Sequence, residues 1–283
     1  MLLPEGLVGK KLPARGRLTD DRTSDRLRTT MPQKKNAYRI VLATAFCLLL
    51  SGCSNEWGWY VVNPTTAKGM TNLKFLLSGL YYTVLLSVTA IIFSITIGLL
   101  VALPGLSKNK TMRRFNRVYV ELVRAVPILV MILWVYYGLP QLLGITITVF
   151  WAGVIALALS DSAFEAEIFR AGIQSIDRGQ YEASHTVALS YTDTMRFIIL
   201  PQAIRRILPA LGNQLVYMLK MSSLVSVIGM QELTRKANEL VVTEYRPLEI
   251  YTILLLEYLF LILIVSAGVR WLERRLQTDE RNC

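Results

Sequence analysis

The chain alternates long apolar blocks with short polar connections. Within the blocks, apolar residues follow one another without the regular spacing that a strand or helix exposed to water shows on one face. A helix needs about 20 apolar residues to cross a bilayer. Five blocks approach or exceed that length, at residues 75–103, 119–137, 149–169, 211–230 and 250–269. The pattern predicts an all-α integral membrane protein with five spans.

The basic residues lie beside these blocks, where they indicate topology. Short cytoplasmic loops collect Lys and Arg because positive charge resists translocation. The first block is followed by Lys108, Lys110, Arg113, Arg114 and Arg117, and the last by Arg270, Arg274 and Arg275. With five spans, we expect a multi-pass protein of the bacterial plasma membrane, with its N-terminus outside and its C-terminus in the cytoplasm. The net charge of +11 therefore does not indicate nucleic-acid binding.

The first 53 residues differ from the rest of the chain. Residues 1–30 are polar, which predicts a disordered segment or a start site placed too early. Residues 31–53 have the basic start, short apolar stretch and small residues of an export signal. Leu50 to Cys53 resemble the lipobox of bacterial lipoproteins, in which the cysteine is lipidated. The alternative is an uncleaved anchor at 40–51. Both place residues 54–74 outside.

The chain has two further cysteines, Cys47 and Cys283, and their spacing relative to Cys53 matches no known cysteine motif. Three scattered cysteines are too few for a disulfide framework or a metal site.

A long polar connection at 170–209 separates the third and fourth blocks. A helix-compatible run ends near Leu189, and Ser190 with Asp193 three residues later forms a capping-box-like start to a second helix. We expect that second helix to stop before Pro201. Two short helices joined by a turn would form a rigid lever on the cytoplasmic face, which a soluble partner could push.

This connection resembles the EAA loop of ATP-binding-cassette (ABC) importer permeases, which couples to the ATPase subunit. The matching positions are Glu182, Ala183, the Ser190 turn with Asp193, Phe197 to Leu200, Pro201, Ala203 and Pro209. The polar-amino-acid branch, which includes histidine, glutamine and arginine permeases, is also matched outside the loop. Those matches are residues 121–124, Pro127, 166–168, Arg170, 172–173, 211–214, 219–220, 223–229, 232–234 and 271–275.

The resemblance implies a type I importer domain at 75–276, followed by a cytoplasmic tail at 277–283. It implies a permease subunit that performs no covalent chemistry and has no catalytic residues, metal or cofactor of its own. The implied partners are an ATPase that binds ATP, a second permease subunit, identical or sister, and a periplasmic or lipid-anchored solute-binding protein. No Walker-type phosphate loop occurs in the sequence.

The chain departs from the family pattern at three positions. Ser184 stands where a small Ala is usual, Ala188 where Gly is usual, and Met221 where an acidic or amide residue is common. If the usual Gly closes a helix in the left-handed conformation, Ala costs on the order of 1 kcal/mol. The turn is then expected to be rebuilt, with coupling altered in detail but not lost.

Ionisable residues inside spans line a pathway or pair with each other. Asp161 and Glu165 share one face of the third span, Lys220 lies in the fourth and Glu257 in the fifth. One hypothesis is that the acids bind a substrate ammonium or guanidinium, while Lys220 neutralises a carboxylate. The alternative is a structural pair such as Glu165 with Lys220.

Two further charged residues, Glu121 and Arg124, lie one turn apart on the second span and are expected to pair locally.

A stand-alone secondary transporter or channel is the alternative function. It predicts inverted repeats or broken helices in matching halves, and five spans do not divide into equal halves. An intramembrane enzyme is disfavoured because the single histidine, His185, lies outside the blocks and no His-Glu-x-x-His motif occurs. The sequence therefore favours an importer permease for polar amino acids.

Overall fold

The computed structural model describes residues 57–278, with side chains described through residue 275. Within that range every regular element is helical. The polar start at 1–30, the signal-like segment at 31–53 with its Cys53, and residues 279–283 of the tail lie outside the described residues.

Ten α-helices follow one another in the described range. In chain order they are α1 (Ala67–Leu106), α2 (Lys110–Ala125), α3 (Ile128–Leu133), α4 (Leu139–Leu143), α5 (Val149–Gln174), α6 (Arg178–Thr186), α7 (Tyr191–Asp193), α8 (Leu200–Met221), α9 (Leu233–Glu244) and α10 (Pro247–Thr278). Short 3-10 helices cover Trp59–Val62 and Ser222–Ile228, and π-helical segments cover Trp134–Gly138 and Thr194–Ile199.

Three of these helices are long and apolar enough to cross a membrane, namely α1, α5 and α10. They correspond to the first, third and fifth predicted spans. Helix α1 begins at Ala67, where Thr66 accepts a hydrogen bond from the Gly69 amide. It therefore includes residues 67–74, which the sequence assigned to an outer segment.

The second predicted span, 119–137, is not one straight helix. Helix α2 ends at Ala125, and the next helical stretch, Ile128–Leu143, is bent from it by 93°. The break is at Val126 and Pro127, both in extended conformation. Proline has no amide hydrogen to donate and restricts the residue before it, so it ends the first helix here. The two helices together form at most one broken span.

The fourth predicted span, 211–230, is also different in the structure. Helix α8 runs only to Met221 and passes into the 3-10 helix Ser222–Ile228. Gly229, with φ of +94°, then reverses the chain. Glycine adopts this left-handed conformation without steric cost. The all-α membrane fold is confirmed, whereas the count of five spans is not.

The core of the described chain lies between α1 and α5. Leu86, Leu157, Met218 and Ile228 bring α1, α5, α8 and the 3-10 helix into one buried apolar cluster. A Cβ at Gly98 would overlap the Cβ of Glu165, so the two backbones approach closely at this position. This dense contact fixes the position of the acidic residues of α5.

Candidate functional site

The polar connection between α5 and α8 folds as two helical pieces, as the sequence predicts. Asp177 accepts a 2.6 Å hydrogen bond from the Gly179 amide and so begins α6. At the far end of α6, the Leu189 amide donates to the Ser184 carbonyl at 3.1 Å, and the Ala188 amide donates to the His185 carbonyl at 3.0 Å. These two bonds form a Schellman motif.

Ala188 occupies the left-handed position of that motif, with φ of +54°. This is the place where the resembled family usually has Gly. The turn is therefore kept rather than rebuilt, with an alanine in a conformation that costs an L-residue roughly 1–2 kcal/mol. Ser184, the second departure from the family pattern, is buried and donates to the Tyr181 carbonyl.

The capping box at Ser190 is present. The Asp193 amide donates to Ser190 Oγ at 3.2 Å, and Ser190 Oγ donates to Asp193 Oδ2 at 2.6 Å. The helix that starts here does not stop before Pro201, so that prediction is wrong. The π-helical segment Thr194–Ile199 continues into α8, and Pro201 lies in the first turn of α8. The wider π-helical turn accommodates the missing amide and the bulk of the proline ring.

A small apolar cluster holds this loop against the C-terminal end of α5 and the N-terminal half of α8. It contains Ile173, Ile176, Ile199, Ala203 and Ile207. Tyr181 packs against this cluster, and its partial burial there raises the pKa of its phenol. Arg206 also donates to the Ser175 carbonyl at 2.6 Å. The loop is thus a rigid unit.

The outer face of the loop is apolar and exposed. Val187, Tyr191 and Phe197 are 68%, 71% and 64% exposed. The predicted coupling residues Glu182 and Ala183 are exposed beside them. Val187 and Tyr191 were not among the predicted site residues. Their signal in the sequence is weak, because single apolar residues near a helix end are as common in cores as on binding surfaces.

Asp161 lies at a junction of three helices. Its side chain is buried, accepts a 2.9 Å hydrogen bond from Ser94 Oγ on α1, and accepts a 2.7 Å bond from Gln214 Nε2 on α8. A carboxylate with two donors is stable in a buried place. Neither Ser94 nor Gln214 was predicted as a partner, although Gln214 belongs to one of the matched segments.

Glu165, one turn further along α5, has a different environment. It is fully buried, and neither carboxyl oxygen has a hydrogen-bond partner among the described residues. Lys220 is exposed at the end of α8. Within residues 57–278 neither residue forms an ion pair, so the Glu165–Lys220 pair that the sequence offered as an alternative is not formed.

The remaining predicted charges are placed as follows. The side-chain oxygens of Glu257 are buried without a partner among the described residues. Arg124 pairs with Glu167 on α5 and lies 4.7 Å from the centre of the Phe164 ring. It does not pair with Glu121, because the bend at Pro127 brings α2 against α5.

One continuous helical path joins the exposed loop to the buried acid. The chain is helical from Tyr191 through the π segment to Met221. Gln214 on this path contacts Asp161. The loop and the junction of α1, α5 and α8 are therefore joined by one uninterrupted helical segment.

Comparisons with known proteins agree with this geometry. Residues 94–278 match the family model described as "Binding-protein-dependent transport system inner membrane component". The chain is 35% identical over 209 residues to the putative glutamine transport system permease protein GlnP of Rickettsia bellii (strain RML369-C), covering 74% of this chain and 96% of that protein. It is 36% identical over 219 residues to the arginine transport system permease protein ArtQ of Bacillus subtilis (strain 168), covering 77% and 100%.

Solved structures give the same result. The crystal structure of an amino acid ABC transporter with histidines matches with a TM-score of 0.69 and 41% identity, over 73% of this chain and 96% of that chain. Both the apolar helices and the exposed loop are thus accounted for by one family. The chain belongs to the binding-protein-dependent transport system inner membrane components, the multi-pass permeases of ABC importers.

Proposed function

We propose that this chain is the pore-forming permease subunit of an ATP-driven importer for polar amino acids. The observation that carries the proposal is the path from the apolar face of the loop, through α8, to Asp161. A partner that moves the loop would move the helix that contacts the buried junction. Alternating access needs such a coupling between a driven surface and the core of the bundle.

The partners are those that the family implies, and the exposed apolar face of the loop supports the first of them. The ATPase subunit binds the exposed face around Glu182, Ala183 and Tyr191, and it binds and hydrolyses the ATP. A second permease subunit, identical or sister, completes the pathway, and a solute-binding protein delivers substrate on the outer side. The loop lies in the cytoplasm, as do the basic residues of α2, and the N-terminus lies outside. This chain supplies no cofactor and no catalytic group.

The substrate class is proposed from the relatives and from the buried acids. The relatives are named for glutamine and arginine transport, and both molecules carry an ammonium group. Asp161 is the first candidate for binding that group, because its donor Gln214 is partly exposed on α8. Glu165 is the second candidate, since it is covered by α1 at Gly98 and needs α1 to move before it reaches a ligand.

Lys220 and Glu257 remain part of the proposed pathway with separate roles. The exposed Lys220 is suited to a substrate carboxylate. The unpartnered Glu257 carboxyl group is suited to a donor on the moving substrate or on the second permease. Charged and polar groups inside a membrane protein are expensive to bury, and function is the usual reason for keeping them.

The test is ATP-dependent uptake of radiolabelled amino acids into proteoliposomes that contain this chain, its ATPase and its binding protein. We expect uptake of glutamine, arginine or another polar amino acid that stops without ATP. Uptake that persists without ATP would overturn the proposal in favour of a stand-alone transporter. Uptake confined to aspartate and glutamate would make Lys220 the residue that selects the substrate, because these molecules carry the same ammonium group and differ by a second carboxylate.

A pair of variants separates coupling from substrate binding. Glu182→Ala removes an exposed acid from the loop and is expected to slow uptake without changing the substrate concentration for half-maximal uptake. Glu273→Ala removes an acid at the inner end of α10 and is the matched control, with uptake unchanged. Glu165→Gln tests substrate contact: unchanged apparent affinity combined with poor expression would show that Glu165 is only structural.

A further inference from the structure

Helix α2 has three distinct faces. One face is buried against α1 and α5, where Asn116 Nδ2 donates to the Val101 carbonyl at 2.7 Å and Tyr119 Oη lies 2.7 Å from Ser162 Oγ. Val120 is buried on the same face. These contacts fix the rotation of the helix about its own axis, so the orientation of its other two faces is determined.

The second face carries four positive charges, namely Lys110, Arg113, Arg114 and Arg117. All four side chains are exposed, and none forms an ion pair or a side-chain hydrogen bond within the described part of the chain. Arg124, on the same helix, is by contrast neutralised by Glu167. The tendency of cytoplasmic loops to be basic explains why these residues are on this side of the membrane, but not why they share one face.

Arg113 and Arg117 separate two cavities. One, of about 540 Å³, lies between α2, the end of α1 and α5, and its charged lining also includes Arg124, Arg170 and the acids Glu121 and Glu167. The other, of about 590 Å³, is lined also by Lys110, Arg114, Val118 and Glu121. Among the described residues, Glu121 is thus the one acid that faces both cavities, and the basic residues outnumber it in the second by four to one. Two guanidinium groups one turn apart can bind the oxygens of one phosphate group from both sides.

The third face is apolar and exposed, with Phe115, Val118 and Leu122 in a row. Because of the bend after Ala125, the axis of α2 lies at 93° to the axis of the following stretch Ile128–Leu143. A helix that crosses the direction of a span, with a basic face beside an apolar one, has the form of a helix in the membrane interface.

We propose that α2 binds an anionic phospholipid of the cytoplasmic leaflet. The headgroup phosphate lies between Arg113 and Arg117, and the acyl chains lie along Phe115 and Leu122. A soluble phosphate would leave the exposed apolar row uncovered. Val118 belongs both to that row and to the lining of the second cavity, so one lipid molecule can contact both. The assignment to the cytoplasmic leaflet rests on the proposed orientation, whereas the binding itself does not depend on transport.

The test is lipid retention by the full chain, purified in detergent with its partner subunits and measured by native mass spectrometry. We expect phosphatidylglycerol to be retained in preference to phosphatidylcholine. In R113Q/R117Q, we expect retention of phosphatidylglycerol to fall on the order of tenfold, since each basic residue near an anionic lipid contributes a several-fold increase in binding. R113K/R117K keeps both charges and is expected to restore most of it.

The matched control is R270Q/R275Q, which removes two exposed charges at the inner end of α10. It should retain the lipid as the unmodified protein does. Equal loss in both double variants would overturn the proposal, because only the net charge would then matter. Equal retention of the two lipids would overturn it as well. Displacement of the lipid by soluble glycerol phosphate at matched concentration would instead assign the site to a free anion and reject the lipid.

Because uptake is not measured, a failure here is distinct from a failure of the transport proposal. A transport-competent protein without lipid preference would reject the α2 site alone. A lipid-binding protein without ATP-driven uptake would reject the permease function alone.

Discussion

The interface between α1 and α5 and the loop between α5 and α8 have opposite arrangements of polar and apolar side chains. In the interface, polar groups are inside: Ser94, Asp161 and Glu165 are buried where the backbones meet at Gly98. In the loop, apolar groups are outside, with Val187 and Tyr191 exposed. Each reverses the usual rule for a water-soluble protein.

The difference shows how one chain can keep its helices packed inside the membrane and still offer a binding surface to a partner at the loop. Hydrogen bonds and close backbone contact keep α1, α5 and α8 together inside the membrane, where apolar attraction between helices is weak. The exposed apolar face of the loop, in contrast, gains free energy only when a partner covers it.

The largest expected effect is on binding of the ATPase. V187S/Y191S removes two exposed apolar side chains from the loop, and truncating the few residues that dominate an interface costs about 2 kcal/mol or more each. We expect the affinity for the ATPase subunit to fall roughly a hundredfold, about 3 kcal/mol, with the thermal stability of the permease unchanged. Binding is measured by titrating the labelled ATPase against the reconstituted permease.

A matched pair exists at the end of α9. Val242 and Tyr245 are 68% and 82% exposed, so V242S/Y245S removes the same side chains from a similar environment. ATPase affinity should be unchanged in this control. An equal loss in the two variants would contradict the loop as the binding surface.

The second effect is on packing. A methyl group at Gly98 would overlap Glu165 Cβ and lie 3.0 Å from the Ser162 carbonyl oxygen. Overpacking of this kind costs roughly 1–3 kcal/mol, and backbone contact on the α5 side leaves little room for relief, so we expect G98A to lose about 2–3 kcal/mol of the free energy of unfolding. Unfolding in mixed micelles by increasing denaturing detergent measures this.

Gly268 on α10 provides the control, because nothing lies within 4 Å of the Cβ that would be added there. G268A is expected to be neutral or to stabilise by up to about 1 kcal/mol, since alanine is the better helix former. If G98A were as stable as G268A, the close approach of α1 and α5 would be wrong.

The third effect tests the hydrogen bonds of Asp161. D161N keeps the shape of the side chain but loses the charge and leaves one donor without an acceptor. We expect a loss of about 1–2 kcal/mol of the free energy of unfolding. Because Ser94 donates to Asp161, S94A and D161N should not be additive, with a coupling of at least about 0.5 kcal/mol in a double-mutant cycle.

The control cycle combines S94A with D177A, which removes the distant cap of α6 and does not contact Ser94. These two changes should add within about 0.5 kcal/mol. Additivity in both cycles would show that the bond between Ser94 and Asp161 contributes nothing to stability.

The sequence predicted the parts of this molecule that depend on local composition. The apolar blocks gave α1, α5 and α10, because a spanning helix has to be apolar along its whole length. Ser190 and Asp193 gave the start of α7, because a capping box needs residues only three positions apart. The turn at Ala188 was expected to be rebuilt, and it instead keeps the left-handed conformation with an alanine.

Other features depend on contacts that the local pattern does not contain. Pro127 breaks a helix and Pro201 does not, since a π-helical turn precedes only the second. Asp161 and Ser94 are separated by 67 positions along the chain, so their hydrogen bond could not be found without the packing of α1 on α5. The pairing of Arg124 with Glu167 rather than Glu121 follows from the bend at Pro127 for the same reason.

The smallest effect is in the turn that closes α6, and it has the opposite sign. Ala188 has φ of +54°, so A188G relieves the contact between the side chain and the backbone while increasing the entropy of the unfolded chain. The net expectation is a gain of about 0.5–1 kcal/mol.

Ala183, exposed in the middle of α6, gives the control: A183G should lose about 1 kcal/mol, because glycine weakens an ordinary helix. Because Ala183 lies in α6 and Ala188 closes its last turn, hydrogen exchange of the α6 amides measures both changes, and slower exchange in A188G with faster exchange in A183G is the expected result. Faster exchange in both would mean that Ala188 is not strained, and that the alanine at this turn costs the loop nothing.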